Sequence, residues 1–63
     1  MSDEAEVDVE YIRETDMAVL FDTAEGEIWI PKSQIISAYE PDDDAGIQQI
    51  FIAQWFAEET GLV

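Results

Sequence analysis

The sequence predicts an α+β fold: a small antiparallel β-sheet of about four to five strands with one C-terminal α-helix. Three observations carry this. Acids alternate with mostly apolar residues from Glu4 to Asp16, the period-two signature of a strand with one wet and one buried face. Short apolar runs separated by Gly- and Pro-containing turns continue to Ile52. The last ten or so residues then take up helical spacing and end at a glycine.

Met1 to Asp3 has no apolar anchor and is expected to fray, leaving 4–63 as a single domain. In the first strand Glu4, Glu6, Asp8, Glu10, Glu14 and Asp16 take the even positions, with Ala5, Val7, Val9, Tyr11 and Arg13 between them. Ile12 breaks the alternation and marks a bulge or an apolar contact on the outer face. Met17 to Phe21 is continuously apolar and reads as a more central strand. Asp22 to Gly26 is a turn, with Gly26 supplying the positive φ of a tight reversal, and Glu27 to Ile30 returns as a strand ended by Pro31. Ser33 is placed to cap a short turn through Gln34 and Ile35, and Ile36 to Tyr39 reads as extended. Pro41 to Gly46 is a loop, Ile47 to Ile52 the last strand, and Ala53 to Thr60 the helix. Ala53, Phe56 and Ala57 share a helix face, Trp55 flanks it, and Gly61-Leu62 fits a C-terminal stop. Trp29, Trp55, Phe21, Phe51 and Phe56 are core candidates, one of them left for an exposed anchor, and Arg13 and Lys32 are structural counter-charges.

Composition narrows function. The chain has 63 residues, with 16 acids against two basic residues and a net charge of −14. At this size folding hides only about 60% of the unfolded surface, which leaves little room for a buried catalytic pocket. With no Cys and no His, disulfides, thiolate chemistry and the commonest metal ligands and general bases are absent. The carboxylates show no spacing that marks a catalytic pair or an oxygen-only metal site. The expectation is therefore a non-enzymatic protein without a cofactor. No apolar run approaches a membrane span, and the N-terminus is acidic where a signal peptide is basic. Direct binding to nucleic acid or to anionic lipid would work against the protein's own field, so the natural partner is cationic.

Placement of the acids sharpens that inference. Alternate residues on a strand lie about 6.6 to 6.8 Å apart, so the even positions make a ladder of negative charge. A protein of this mass exposes about 4,000 Å², and even spreading gives only about one net charge per 300 Å². Duplex DNA, taken as a cylinder of about 10 Å radius, carries one per roughly 110 Å². Imitation of DNA thus requires clustering on one face. The candidate partner-binding residues are Glu6, Asp8, Glu10, Glu14 and Asp16 in the strand, with Asp42, Asp43 and Asp44 in the loop; Asp22, Glu25, Glu27, Glu40, Glu58 and Glu59 are further acids whose facing the sequence leaves open. Asp42–Asp44 does not follow the calcium-loop pattern, since the fifth position from Asp42 is Gly46 and the twelfth is Ala53.

Three stretches, Ala18 to Phe21, Gly26 to Ile35 and Gln54 to Leu62, resemble small proteins carried by phages and mobile elements. In size and charge the chain is also similar to the anti-CRISPR proteins that imitate double-stranded DNA. That resemblance implies an inhibitor acting in the cytoplasm of a bacterial host. Its partner would be a basic DNA-binding protein or a CRISPR effector subunit, such as one of a type I-C Cascade. Two other readings stand beside it: a protein-interaction module of a mobile element, and a salt-adapted acidic domain without mimicry. The residues leave the oligomeric state open.

Overall fold

The computed structural model describes residues 3–63, and its elements follow the acidic and apolar alternation closely. Four strands, β1 (Glu4–Glu14), β2 (Ala18–Thr23), β3 (Gly26–Pro31) and β4 (Ile47–Ala53), form one antiparallel sheet in the order β3-β2-β1-β4. A single 3-10 turn spans Lys32–Gln34, and helix α1 (Gln54–Thr60) follows β4 directly. The architecture is therefore α+β with four strands. Met1 and Ser2 of the segment expected to fray lie outside the described residues. Asp3 is held, its carbonyl accepting the Gln54 N–H at 2.8 Å.

One face of the sheet is dry. Val7, Val9, Val19, Phe21, Ile30, Ile50 and Ile52 line it, and α1 covers it with the fully buried Ala57, whose small side chain permits close approach. Tyr11, Ile28, Ile35, Tyr39, Phe56 and Leu62 close the rim of this core. The helix ends as its sequence predicts. Gly61 sits at φ 80°, its N–H donates to the Glu58 carbonyl at 3.3 Å, and the Leu62 N–H donates to Ala57 at 2.8 Å. This pair of bonds is the Schellman arrangement, and Leu62 supplies its apolar contact.

The β1–β2 register contains a bulge between Tyr11 and Arg13, with Ile12 as the extra residue. Because side chains alternate with period two, one extra residue exchanges the faces of everything after it. Arg13 therefore points outward, opposite Leu20, and Glu14 points inward, opposite the buried Val19. On the outer face Leu20 is buried between Arg13 and Trp29, its partners on either side, and the Arg13 guanidinium lies 5.8 Å from the Trp29 ring centroid. Arg13 thus roofs a small apolar cluster instead of neutralising an acid.

Several expectations need correction. Met17 does not begin β2; it lies in the reversal after β1, 78% exposed, where Thr15 Oγ1 accepts the N–H groups of Met17 and Ala18 at 3.3 Å. Asp22 and Thr23 belong to β2, so the β2–β3 turn is only Ala24-Glu25, closed by Gly26 at φ 95°. Ser33 caps nothing: the 3-10 turn has Pro31 at its start and no side-chain cap. Ile36 to Tyr39 is not a strand. Ile35 makes one bridge to Ile52, after which Tyr39 turns in to stack on Tyr11 at 6.2 Å and draws the chain off the sheet edge. Of the aromatic core candidates only Phe21 is fully buried. Trp29, Phe51 and Trp55 are 43%, 40% and 58% exposed, because alternation puts the first two on the outer face.

Candidate functional site: an acidic sheet face

The face opposite α1 carries the acids. Glu4, Glu6, Asp8 and Glu10 project from β1 as exposed residues between buried Ala5, Val7 and Val9. Glu10 stands directly opposite Asp22 of β2, and Asp22 directly opposite Glu27 of β3. All three are exposed and on the same face. The result is a two-dimensional array, with about 6.7 Å between carboxylates along β1 and about 4.8 Å between strands. Like charges directly opposite on neighbouring strands are destabilising. A row of three acids across three strands is thus costly to the fold, and nothing in the sheet's own packing requires it.

Glu6, Asp8 and Glu10 therefore lie together as the alternation predicts, but Glu14 and Asp16 leave the ladder. The bulge turns Glu14 to the inner face, where its carboxylate is 2.6 Å from Lys32 Nζ. It accepts hydrogen bonds from Tyr11 Oη at 3.1 Å and from Tyr39 Oη at 3.2 Å. The Lys32 ammonium holds the Glu14 carboxyl below its ordinary value, helped by the two phenols and opposed by partial burial. Glu14 in turn raises Lys32, while burial first and Glu14 second push both tyrosines up. Glu14 is thus a structural anchor that ties β1 to the segments carrying Lys32 and Tyr39. Asp16 lies beyond β1 in the exposed reversal.

Asp22 and Glu27 take their places. Both are among the acids whose facing the sequence leaves open, since Asp22 adjoins a turn and the array exists only once strands pair. The bulge at Ile12 was the one available sign that the ladder ends at Glu10.

Asp42, Asp43 and Asp44 lie in the exposed loop that leads into β4, whose first residue, Ile47, pairs with Glu10. Their carboxylate oxygens come within 4.8 Å of one another. Asp42 Oδ1 accepts the Asp44 N–H at 2.9 Å, and the Asp42 carbonyl accepts the Ala45 N–H at 3.0 Å. Exposed acidic groups this close together are common without a bound ion. Glu58 and Glu59 are exposed on α1, in the layer opposite the array.

Apolar side chains flank the array. Ile47 and Phe51, on β4, share its face opposite Glu10 and Glu6. Ile36 lies beside Phe51, to whose carbonyl it donates its N–H at 2.8 Å, and all three are exposed. Exposed apolar side chains thus border the charged field on its β4 side. Among the described residues no helix is long and apolar enough to cross a membrane. Compared with known proteins, the chain matches no protein family, no curated protein and no solved structure.

Proposed function

We propose that this protein is a non-enzymatic inhibitor that sets its acidic sheet face into the DNA-binding groove of a basic host complex and keeps DNA out. The observation that carries the reading is the array of six carboxylates, Glu4, Glu6, Asp8, Glu10, Asp22 and Glu27, on one face. Averaged over the 4094 Å² that the chain exposes, a net charge of −14 amounts to roughly one per 290 Å², too sparse to imitate DNA. The array is denser. The Cα trace extends 33 × 23 × 16 Å; over that whole envelope −14 is roughly one charge per 240 Å², while its broad side, with six carboxylates less the Arg13 guanidinium, has roughly one net charge per 150 Å², closer to the roughly 110 Å² of duplex DNA. Such a face is drawn towards a groove lined with Lys and Arg, while Phe51, Ile36 and Ile47 fix its register. The resemblance in size and charge to DNA-imitating anti-CRISPR proteins makes a type I-C-like Cascade the first target to assay, inside a bacterial host.

The test compares two triple variants that remove equal charge. E6Q/D8N/E10Q should stay folded and lose the ability to compete with duplex DNA for the complex. E40Q/E58Q/E59Q, which leaves the array intact, should compete as the parent does. Equal loss in both would mean that bulk charge, and not this face, is responsible; no loss in either would end the mimic reading. The exposed apolar flank favours a second reading, an interaction module in which charge is incidental. In that case Phe51→Ser would abolish association and the acidic triple variant would not.

A further inference from the structure

The strand β1 has eleven residues and β2 only six, and β2 pairs with β1 from Glu10 onward. Along Glu4–Val9, β1 therefore has β4 on one side and, among the described residues, no strand on the other. The backbone direction of each residue follows from β4. The Phe51 N–H donates to Ser37 Oγ at 2.9 Å and its carbonyl accepts the Ile36 N–H, so Phe51 turns its polar groups away from β1. In an antiparallel ladder alternate residues face opposite neighbours. Ile50 and Ile52 thus bond to Val7 and Ala5, and the N–H and C=O groups of Glu6 and Asp8 point to the side that lacks a strand. Among the described residues no hydrogen bond engages them. Where β2 peels away, a cleft of about 240 Å³ opens between Asp8 and Glu10 of β1 and Asp22 to Ala24.

We propose that this open edge of β1 at Glu6–Asp8 takes a cationic, extended segment of a partner protein as an added strand. An unpaired edge is a template for another chain. Charge selects the occupant. A second copy of this protein would set its own Glu6 and Asp8 against these, and like charges directly opposite repel. A segment with Lys or Arg at alternate positions would instead place each cation beside Glu6 and Asp8 on the outer face, while its other side chains turn towards α1. Of the sheet's two outer strands, β3 closes on Pro31, which has no N–H to give, and β4 is met at Phe51 by Ile36 and Ser37. The proposal rests on the cationic partner of the proposed function and adds the mode of contact: main-chain hydrogen bonds set the register that charge alone leaves loose.

The test uses the full chain, made by chemical synthesis, and a nine-residue probe peptide alternating Lys with Val. Binding of the probe should slow hydrogen exchange at the Glu6 and Asp8 amides. N-methylation of Asp8, which removes one edge donor and keeps every charge, should weaken probe binding by about tenfold, one net hydrogen bond or slightly more. N-methylation of Glu6 should do the same, and the fold of both should match the parent by circular dichroism, since neither N–H serves the β1–β4 ladder. Unchanged affinity in both N-methylated chains, or a bound probe that leaves the Glu6 and Asp8 amides unprotected, would overturn the proposal. The two readings fail separately. Loss of DNA competition in E6Q/D8N/E10Q with unaffected N-methyl chains removes the edge and keeps the mimic; the reverse removes the mimic and keeps the edge.

Discussion

Glu14 shows how one added residue changes the role of another. Were Ile12 paired in a regular ladder, Glu14 would stand on the outer face as a further rung of charge; with Ile12 bulged out, the carboxylate meets Lys32, Tyr11 and Tyr39 inside. Its carboxyl is held below the ordinary 4.5, so its contribution to stability is present above that value and is lost as pH falls through the lowered folded-state value. Lys32 is raised above 10.5, and its contribution is present below that value and lost as pH rises beyond it. Tyr11 and Tyr39 are raised above 10.0, so their ionisation also weakens the fold on the alkaline side. Glu14→Gln should therefore lower the thermal midpoint at pH 7 and flatten its fall at acid pH. Melting curves followed by circular dichroism from pH 3 to pH 7 check both, and an unchanged acid limb would show that this cluster does not govern it.

At the scale of elements, the row formed by Glu10, Asp22 and Glu27 sets stability against binding. Asp22 is the middle member and meets a like charge on each side. Asp22→Asn should stabilise the fold by about 0.2–1 kcal/mol, read as a higher urea midpoint at an unchanged slope. The same substitution should weaken competition with DNA, since it opens a gap in the array. A gain in stability together with a loss of competition would mark the row as kept for a partner. If Asp22→Asn leaves both stability and competition as they were, the row is neither strained nor used.

Across the whole molecule, salt should act in two opposite directions. The Debye length falls from about 10 Å at 0.1 M to about 3 Å at 1 M, which screens repulsion within the array and attraction to a basic groove alike. The thermal midpoint should rise with added KCl while competition with DNA declines. A chain that folds only in molar salt would instead mark adaptation to brine. Net charge alone foresees the second half of this behaviour; the first depends on carboxylates being neighbours across strands.

The sequence by itself determined the architecture. Period-two alternation from Glu4 to Tyr11, apolar runs divided at Gly26 and Pro31, and a glycine stop at Gly61 are local signals, and each acts within a few residues of chain. It also determined the sign of the protein's own field, because charge sums without regard to fold. Tertiary structure decided which acids stand together. Strand pairing brought Asp22 and Glu27 beside Glu10 from positions twelve and seventeen residues away, and the bulge removed Glu14 from their company. It decided, too, which aromatics stay outside, since Trp29 and Phe51 follow the outward half of an alternation whose inward half fills the core. Register is the physical reason for the difference: it couples residues that are distant in the chain, and a shift of one residue exchanges the two faces of the sheet.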